Sequence, residues 1–178
     1  MKVHESHKHK APDKIIISVV VVSTSRYEEL KKGEISSDKT IPIINDILSK
    51  HDNIILDSTH IVPDSEEKIL EILKELTSQD NINSIIFSGG TGLSPKDITY
   101  ETIEPLLRKK LPGFGELFRY LSYKEIGSSA ILSRSTAGTY QGLFIFLLPG
   151  SPNAVKLALE KLIFPELGHI IYLLNKEE

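Results

Sequence analysis

The sequence predicts an α/β protein built on a mostly parallel β-sheet. Short apolar runs rich in β-branched residues alternate along the chain with amphipathic segments of about 10–15 residues, an order that is typical of βαβ units. The first run, IIISVVVV at 15–22, is apolar on both faces, as expected of a strand in the middle of a parallel sheet. The 178 residues suffice for one domain with a sizeable core.

The first half of the chain contains three predicted strands and two predicted helices. Strands are expected at 15–22, 53–62 and 83–88, the second of them short. Residues 37–51 form a predicted helix because apolar residues recur at helical spacing: Ile41, Ile44, Ile47 and Leu48. The clearest helix is expected within 64–80, where acidic residues favour its positive N-terminal end. Its expected buried stripe consists of Ile69, Leu70, Ile72, Leu73 and Leu76.

The second half of the chain continues the alternation. Residues 99–126 indicate two helices separated at Pro112–Gly113, and 143–150 indicate a strand that ends abruptly. Residues 151–176 indicate one helix and then a second after Pro165. We therefore expect a single domain over 15–178.

The polar residues 1–14 differ from this domain and form a predicted flexible or loosely docked tail. They contain His4, His7 and His9, so a metal site and docking on a neighbouring subunit are alternatives, although tails rarely hold metal ligands in fixed geometry. The sequence does not decide the role of this histidine-containing tail.

Composition excludes several classes of protein and site. The absence of cysteine excludes disulfides and thiolate metal sites, and it fits a reducing compartment. A net charge of −3 gives no indication of nucleic acid or of an anionic membrane as a partner. The longest apolar run is too short to span a bilayer, and no signal-peptide cleavage site follows it, so we expect a cytoplasmic protein.

Four polar loops follow predicted strands or precede predicted helices, at 23–26, 62–67, 88–97 and 148–153. In an open α/β sheet, ligands bind beyond the carboxyl ends of the strands, where these loops would meet. The loop SGGTGLSPKD at 88–97 is rich in glycine, which permits positive φ angles and close approach to the backbone. Its bare amides are typical of an anion-binding nest, although a tight strand-to-helix turn is the alternative. It is neither a Walker A loop nor a Rossmann fingerprint.

The loop LPGSPN at 148–153 has the pattern of a helix start. Ser151 is placed to cap the helix, with Pro152 at its first position, and such a terminus also binds anions.

Two aspartates lie beside these loops. Asp64 precedes a predicted helix with Glu67 three residues on, so a structural capping role competes with a functional one. Asp97 precedes Thr99, itself a plausible helix cap, and therefore has less structural reason to be acidic. Two carboxylates beside phosphate-binding loops favour Mg²⁺, which is often held by one or two carboxylates plus substrate phosphates. Arg119 and Arg134 are possible anion contacts, although such arginines are more often simple surface residues.

These motifs together resemble the molybdenum cofactor biosynthesis proteins of the MoaB/MogA type, to which the gephyrin G domain is related. The resemblance rests on SGGTGLSPKDITYETIEPLL, PGFGELFR and AILSRSTAGTYQGLFIFLLPGSPNAV in this order, and it covers nearly the whole chain from about Ile15. It implies a three-layer α/β/α sandwich of the MogA-like molybdopterin-binding fold. It also implies a homo-oligomer, either a trimer or a hexamer of two trimers.

The resemblance further implies an activity and a set of site residues. Active members adenylylate molybdopterin with ATP and Mg²⁺, releasing pyrophosphate, and the product goes to a downstream protein that inserts molybdate or tungstate. Asp64 and Asp97 match the catalytic and metal-binding acids of the family. The implied ligand-binding residues are Ser23, Ser88, Gly89, Gly90, Thr91, Gly92, Pro149, Gly150 and Ser151.

Two other functions remain open from the sequence. One is a module that binds and delivers molybdopterin without chemistry. The other is a dinucleotide pyrophosphate hydrolase like the CinA-type domains, but these carry paired acids where this chain has Lys96 followed by Asp97.

Overall fold

A five-stranded sheet forms the centre of the computed structural model, which describes residues 12–176. The strands are β1 (Ile15–Val22), β2 (Ile54–Val62), β3 (Ser84–Ser88), β4 (Thr136–Tyr140) and β5 (Leu143–Leu148), in the order β2-β1-β3-β5-β4. Every neighbouring pair is parallel except β4 with β5. The first four strands in this order therefore direct their carboxyl ends to one edge of the sheet.

Seven α-helices are described, and they connect or flank these strands. They are α1 (Thr24–Lys31), α2 (Thr40–Leu48), α3 (Glu66–Thr77), α4 (Thr99–Ile103), α5 (Pro112–Ile126), α6 (Pro152–Ala158) and α7 (Phe164–Leu174). Short 3₁₀ turns follow α4 (Glu104–Leu106) and α5 (Gly127–Leu132), and a π-helical turn (Leu159–Ile163) joins α6 to α7.

The sheet is covered by helices on both faces, which confirms the three-layer sandwich. Alternate residues of β1 show the two faces: Val19 and Val21 pack in one buried cluster, and Val20 and Val22 in the other. The first cluster includes apolar side chains of α2, α5, α6 and α7, whereas the second includes those of α3 and α4. This arrangement explains why the central strands are apolar on both faces.

Several expected elements differ from the structure. The loop expected at 23–26 is largely the start of α1, a helix that was not predicted, and the antiparallel edge strand β4 was not anticipated. Leu70 is 36% exposed rather than part of the buried stripe of α3. Residues 99–126 do form two helices, but the break between them ends before Pro112, which begins α5. The first turn of a helix tolerates proline because an N–H there has no intrahelical acceptor.

The expected break at Pro165 is replaced by a continuous helical path. The π-helical turn precedes this proline, which lies at the second position of α7. The wider turn accommodates a residue that has no N–H to donate.

The N-terminal tail remains outside this description. Residues 1–11, including His4, His7 and His9, lie outside the described residues, so the division into a tail at 1–14 and a domain at 15–178 stays a prediction. Within residues 12–176, no helix has the length and apolar character needed to cross a membrane.

Candidate active site

The four polar loops meet in one cavity at the carboxyl edge of the sheet. Its volume is about 530 Å³. The predicted residues that line it are Ser23, Asp64, Gly89, Gly90, Thr91, Gly92, Asp97, Pro149 and Gly150. The loops after β1, β2, β3 and β5 lie side by side there because these strands are parallel and adjacent.

The glycines after β3 are required by contacts within the protein itself. Gly89 has φ +104°, and a Cβ on it would collide with the carbonyl oxygen of Val22. Gly90 has φ +62°, and a Cβ on it would collide with Oγ1 of Thr99 and approach Oδ1 of Asp64 at 3.1 Å. The loop is therefore held tightly against β1, α4 and Asp64, which fixes the surface that it presents to the cavity.

The backbone amides of this loop divide into two groups. The N–H of Gly89 donates to the carbonyl oxygen of Leu148 at 3.0 Å, extending the pairing with β5. The amides of Gly90, Thr91 and Gly92 make no hydrogen bond to any described residue. Three consecutive free donors at a cavity wall can bind an anion such as a phosphate.

Asp64 is not the cap of the helix that follows it. The cap position of α3 belongs to Ser65, whose side chain makes no capping hydrogen bond. Asp64 Oδ2 instead accepts from the backbone N–H and the hydroxyl of Thr24, at 2.9 and 2.8 Å, and Thr24 is the first residue of α1. The carboxylate thus stabilises the N-terminus of a helix distant in sequence, while its Oδ1 makes no hydrogen bond with the described residues.

Asp97 is held by the glycine loop. Its Oδ2 accepts from the N–H of Ser94 at 3.2 Å and lies only 2.7 Å from the point where Gly92 would carry a Cβ. Thr99 was expected to cap α4, but it is the first helical residue, and its buried hydroxyl makes no hydrogen bond. Asp97 therefore has one carboxylate oxygen in the loop and the other available to the cavity.

Arg134 binds the backbone of the glycine loop. Its guanidinium donates to the carbonyl oxygens of Thr91 at 2.9 Å and Gly92 at 2.5 Å, forms an ion pair with Glu101, and lies over the ring of Tyr100. The hydrogen bond with Glu101 raises the pKa of Arg134 and lowers that of Glu101. Arg134 thus lines the cavity with four of its five N–H donors already used.

The candidate loop at 23–26 contained Arg26 but gave its side chain no role, and sequence reasoning missed Ser37 in the same part of the wall. Arg26 lies on α1, one turn from the expected loop residue Ser23, and Ser37 lies in the segment that connects α1 to α2. No sequence pattern indicated that this connection folds back over the cavity. Leu132 and Ser133, which precede β4, were missed for the same reason.

Comparison with known proteins is consistent across sequence and structure. Residues 18–169 match the family model described as "Probable molybdopterin binding domain". The chain is 44% identical to molybdenum cofactor biosynthesis protein B of Staphylococcus epidermidis, with 96% of this chain and 98% of the relative covered. The chain belongs to the molybdopterin-binding family. A role in molybdenum cofactor biosynthesis follows from this membership.

Solved structures show the same relationship in the fold of this molybdopterin-binding protein. A crystal structure of a molybdenum cofactor biosynthesis protein B superposes with a TM-score of 0.83 at 38% identity, covering 94% of this chain and 99% of the other. The tungsten cofactor synthesizing protein MoaB from Pyrococcus furiosus gives a TM-score of 0.80 at 38% identity, covering 93% and 100%. These similarities confirm the MogA-like fold.

Two of the ligand residues suggested by the family resemblance do not line the cavity. Ser88 is fully buried and donates to the carbonyl oxygen of Pro149 at 3.2 Å, so it joins the two ligand loops. Ser151 accepts from the N–H of Ala154 at 3.3 Å and is the cap of α6 that the sequence predicted. Both side chains shape the site without lining it.

The acids of this molybdopterin-binding protein suit a magnesium ion held together with substrate phosphates. Among residues 12–176 there is no group of three or more His, Cys, Asp or Glu side chains able to form a complete protein metal site. Mg²⁺ does not need one, because it is commonly held by one or two carboxylates plus phosphate oxygens. Asp64 and Asp97 each offer one oxygen that makes no hydrogen bond with the described residues.

Proposed function

We propose that the protein adenylylates molybdopterin, using Mg²⁺ and ATP and releasing pyrophosphate. The observation that carries this proposal is the placement of two carboxylates, Asp64 and Asp97, around one cavity whose wall contains free amides of the glycine loop. This combination suits nucleotidyl transfer, because two phosphate groups must approach each other and their negative charges must be neutralised.

The proposed chemistry is a displacement at phosphorus. A phosphate oxygen of molybdopterin attacks the α-phosphorus of ATP, the bond from that phosphorus to its bridging oxygen breaks, and pyrophosphate leaves with the electron pair. The amides of Gly90, Thr91 and Gly92 would bind the molybdopterin phosphate and orient its attacking oxygen. Asp64 and Asp97 would hold Mg²⁺, which supplies charge neutralisation at the phosphoryl oxygens.

We further propose that the protein works as a homo-oligomer, a trimer or a hexamer. Helix α5 supports this, because Leu117, Tyr120 and Tyr123 are 53%, 55% and 60% exposed on it. Apolar side chains concentrated on one exposed surface are typical of an association site. A cytoplasmic location and delivery of the product to a metal-insertion protein belong to the same proposal.

The proposal is tested by incubating the purified protein with molybdopterin, ATP and Mg²⁺ and measuring pyrophosphate. We expect release that depends on all three components and that stops when EDTA removes the metal. The matched control is Asp97→Asn, which keeps the shape of the side chain and removes its charge.

Two other experimental outcomes would contradict adenylyl transfer and indicate a different function. Binding of molybdopterin without pyrophosphate release from ATP would indicate the delivery module. Cleavage of a dinucleotide pyrophosphate in the absence of molybdopterin would indicate the hydrolase.

A further inference from the structure

We propose that Arg26, held in place by Asp38, binds the phosphates of ATP at the end of the cavity formed by α1 and the segment 33–39. This inference rests on the proposed adenylyl transfer and assigns the nucleotide end of the same cavity. It gives a role to Arg26, whose side chain had none within the candidate loop at 23–26, and to Asp38.

Arg26 differs from Arg134, the other arginine of the cavity wall, in the use of its donors. The guanidinium nitrogens of Arg134 are occupied by Glu101 and by the carbonyl oxygens of Thr91 and Gly92. The guanidinium of Arg26 has one ionic contact with the described residues, from its Nη1 to Asp38 Oδ1 at 3.0 Å. Its remaining N–H groups are therefore available to an anion in the cavity.

Asp38 is built to hold this arginine. Its side chain is only 3% exposed, and its Oδ2 accepts from the N–H of Ile41 at 2.7 Å in the first turn of α2. Oδ1 has no hydrogen bond apart from its ionic contact with Arg26. A nearly buried carboxylate anchored to a helix start fixes the position of the guanidinium before any ligand arrives.

The segment 33–39 is attached to α1 by a second contact. Glu29 on α1 accepts from the backbone N–H and the hydroxyl of Ser37, at 2.7 and 2.8 Å. These bonds from Ser37 hold the pKa of Glu29 below its usual value. They place Ser37 in the cavity wall together with Arg26, and its hydroxyl hydrogen is already donated to Glu29, so Arg26 is the charged donor of this part of the wall.

The order of the loops assigns this end to the nucleotide. The loops after β2 and β1 carry Asp64 and Arg26, whereas those after β3 and β5 carry the glycine loop and Pro149–Gly150. Neutral amides suit the single phosphate of molybdopterin, while the greater negative charge of a triphosphate favours the guanidinium. The carboxylate of Asp64 contacts both parts of the wall: its Oδ2 accepts from the N–H of Thr24 on α1, and its Oδ1 lies 3.1 Å from the point where Gly90 would carry a Cβ.

The test is the affinity of the full-length protein for ATP with Mg²⁺, measured by isothermal titration calorimetry. Arg26→Gln removes a charge-assisted hydrogen-bond donor, so its dissociation constant for ATP should rise about 10-fold to 100-fold. Arg26→Lys keeps the ion pair with Asp38 and loses the guanidinium fork, so its constant should rise roughly 2-fold to 10-fold. Arg108→Gln removes an equal charge from an exposed side chain outside the cavity and should bind ATP like the parent protein.

A second readout separates the two substrates. In the pyrophosphate assay, Arg26→Gln should raise the KM for ATP and leave the KM for molybdopterin unchanged. Equal ATP affinity in Arg26→Gln and the parent, or a defect in molybdopterin binding alone, would overturn the assignment of Arg26. Failure of the parent protein to bind ATP at all would overturn both this assignment and the proposed adenylyl transfer.

Discussion

Replacing Asp64 by Asn tests whether this residue supports the reaction or only the fold. The structural role of Asp64 is to accept two hydrogen bonds from Thr24, at 2.9 Å from the backbone N–H and 2.8 Å from the hydroxyl. An Asn side-chain oxygen can still accept from the first residue of α1, so the geometry should survive. What disappears is the negative charge that faces the helix N-terminus and that is proposed to bind Mg²⁺.

The expected effects on stability follow from these contacts. Loss of the charge at the start of α1 should cost about 0.3–1 kcal/mol of unfolding free energy. Asp64→Ala also loses both hydrogen bonds, and it should cost about 1–3 kcal/mol. For a domain of this size, 1 kcal/mol corresponds to roughly 2–4 °C in melting temperature, so a thermal melt distinguishes the two variants.

The expected effect on the reaction is much larger than the effect on stability. Both Asp64→Asn and Asp64→Ala should reduce pyrophosphate release on the order of 100-fold or more, because the charge that positions the metal is lost. The measurement is pyrophosphate release at saturating molybdopterin, ATP and Mg²⁺. An Asn variant that turned over at the parent rate would show that Asp64 only supports α1, and the catalytic assignment would be wrong.

Three further results are expected. Gly90→Ala should lower the unfolding free energy by about 1–3 kcal/mol, because alanine would have to adopt a positive φ and its Cβ would collide with Thr99 Oγ1. In a urea titration, the double variant with Thr99→Ala should recover part of this loss. Glu101→Gln should lower the melting temperature near neutral pH, where the depressed pKa of Glu101 keeps its carboxylate charged beside Arg134. The difference in melting temperature from the parent should vanish as the pH falls below the ordinary pKa of 4.5 and through the lower pKa of the folded state. A difference that persisted in acid would contradict the ion pair as its cause. Tyr120→Asp on the exposed surface of α5 should shift light scattering towards smaller species, and a parent protein that is already monomeric when dilute would refute the proposed oligomer.

The sequence alone predicted the arrangement that creates the cavity. Apolar runs on both faces identified the central strands, and polar, glycine-rich stretches after them identified the loops at their carboxyl ends. These features are local, because the alternation of a strand, the residues of a turn and the spacing of a helix are each recognisable within about ten residues of sequence. For this reason the local patterns located the glycine loop, Asp97 and the cap at Ser151 correctly.

The tertiary structure decided which partners these residues have. Local spacing suggested that Asp64 caps α3, yet it bonds to Thr24, 40 residues earlier in the chain, because parallel pairing of β1 with β2 brings their ends together. Packing between segments also pairs Arg26, in the cavity wall, with Asp38, and no periodic pattern in the sequence predicts such a contact. Sequence patterns report the conformation of each segment, but contacts between distant segments depend on how the segments pack, and that packing determined which charges surround the candidate site.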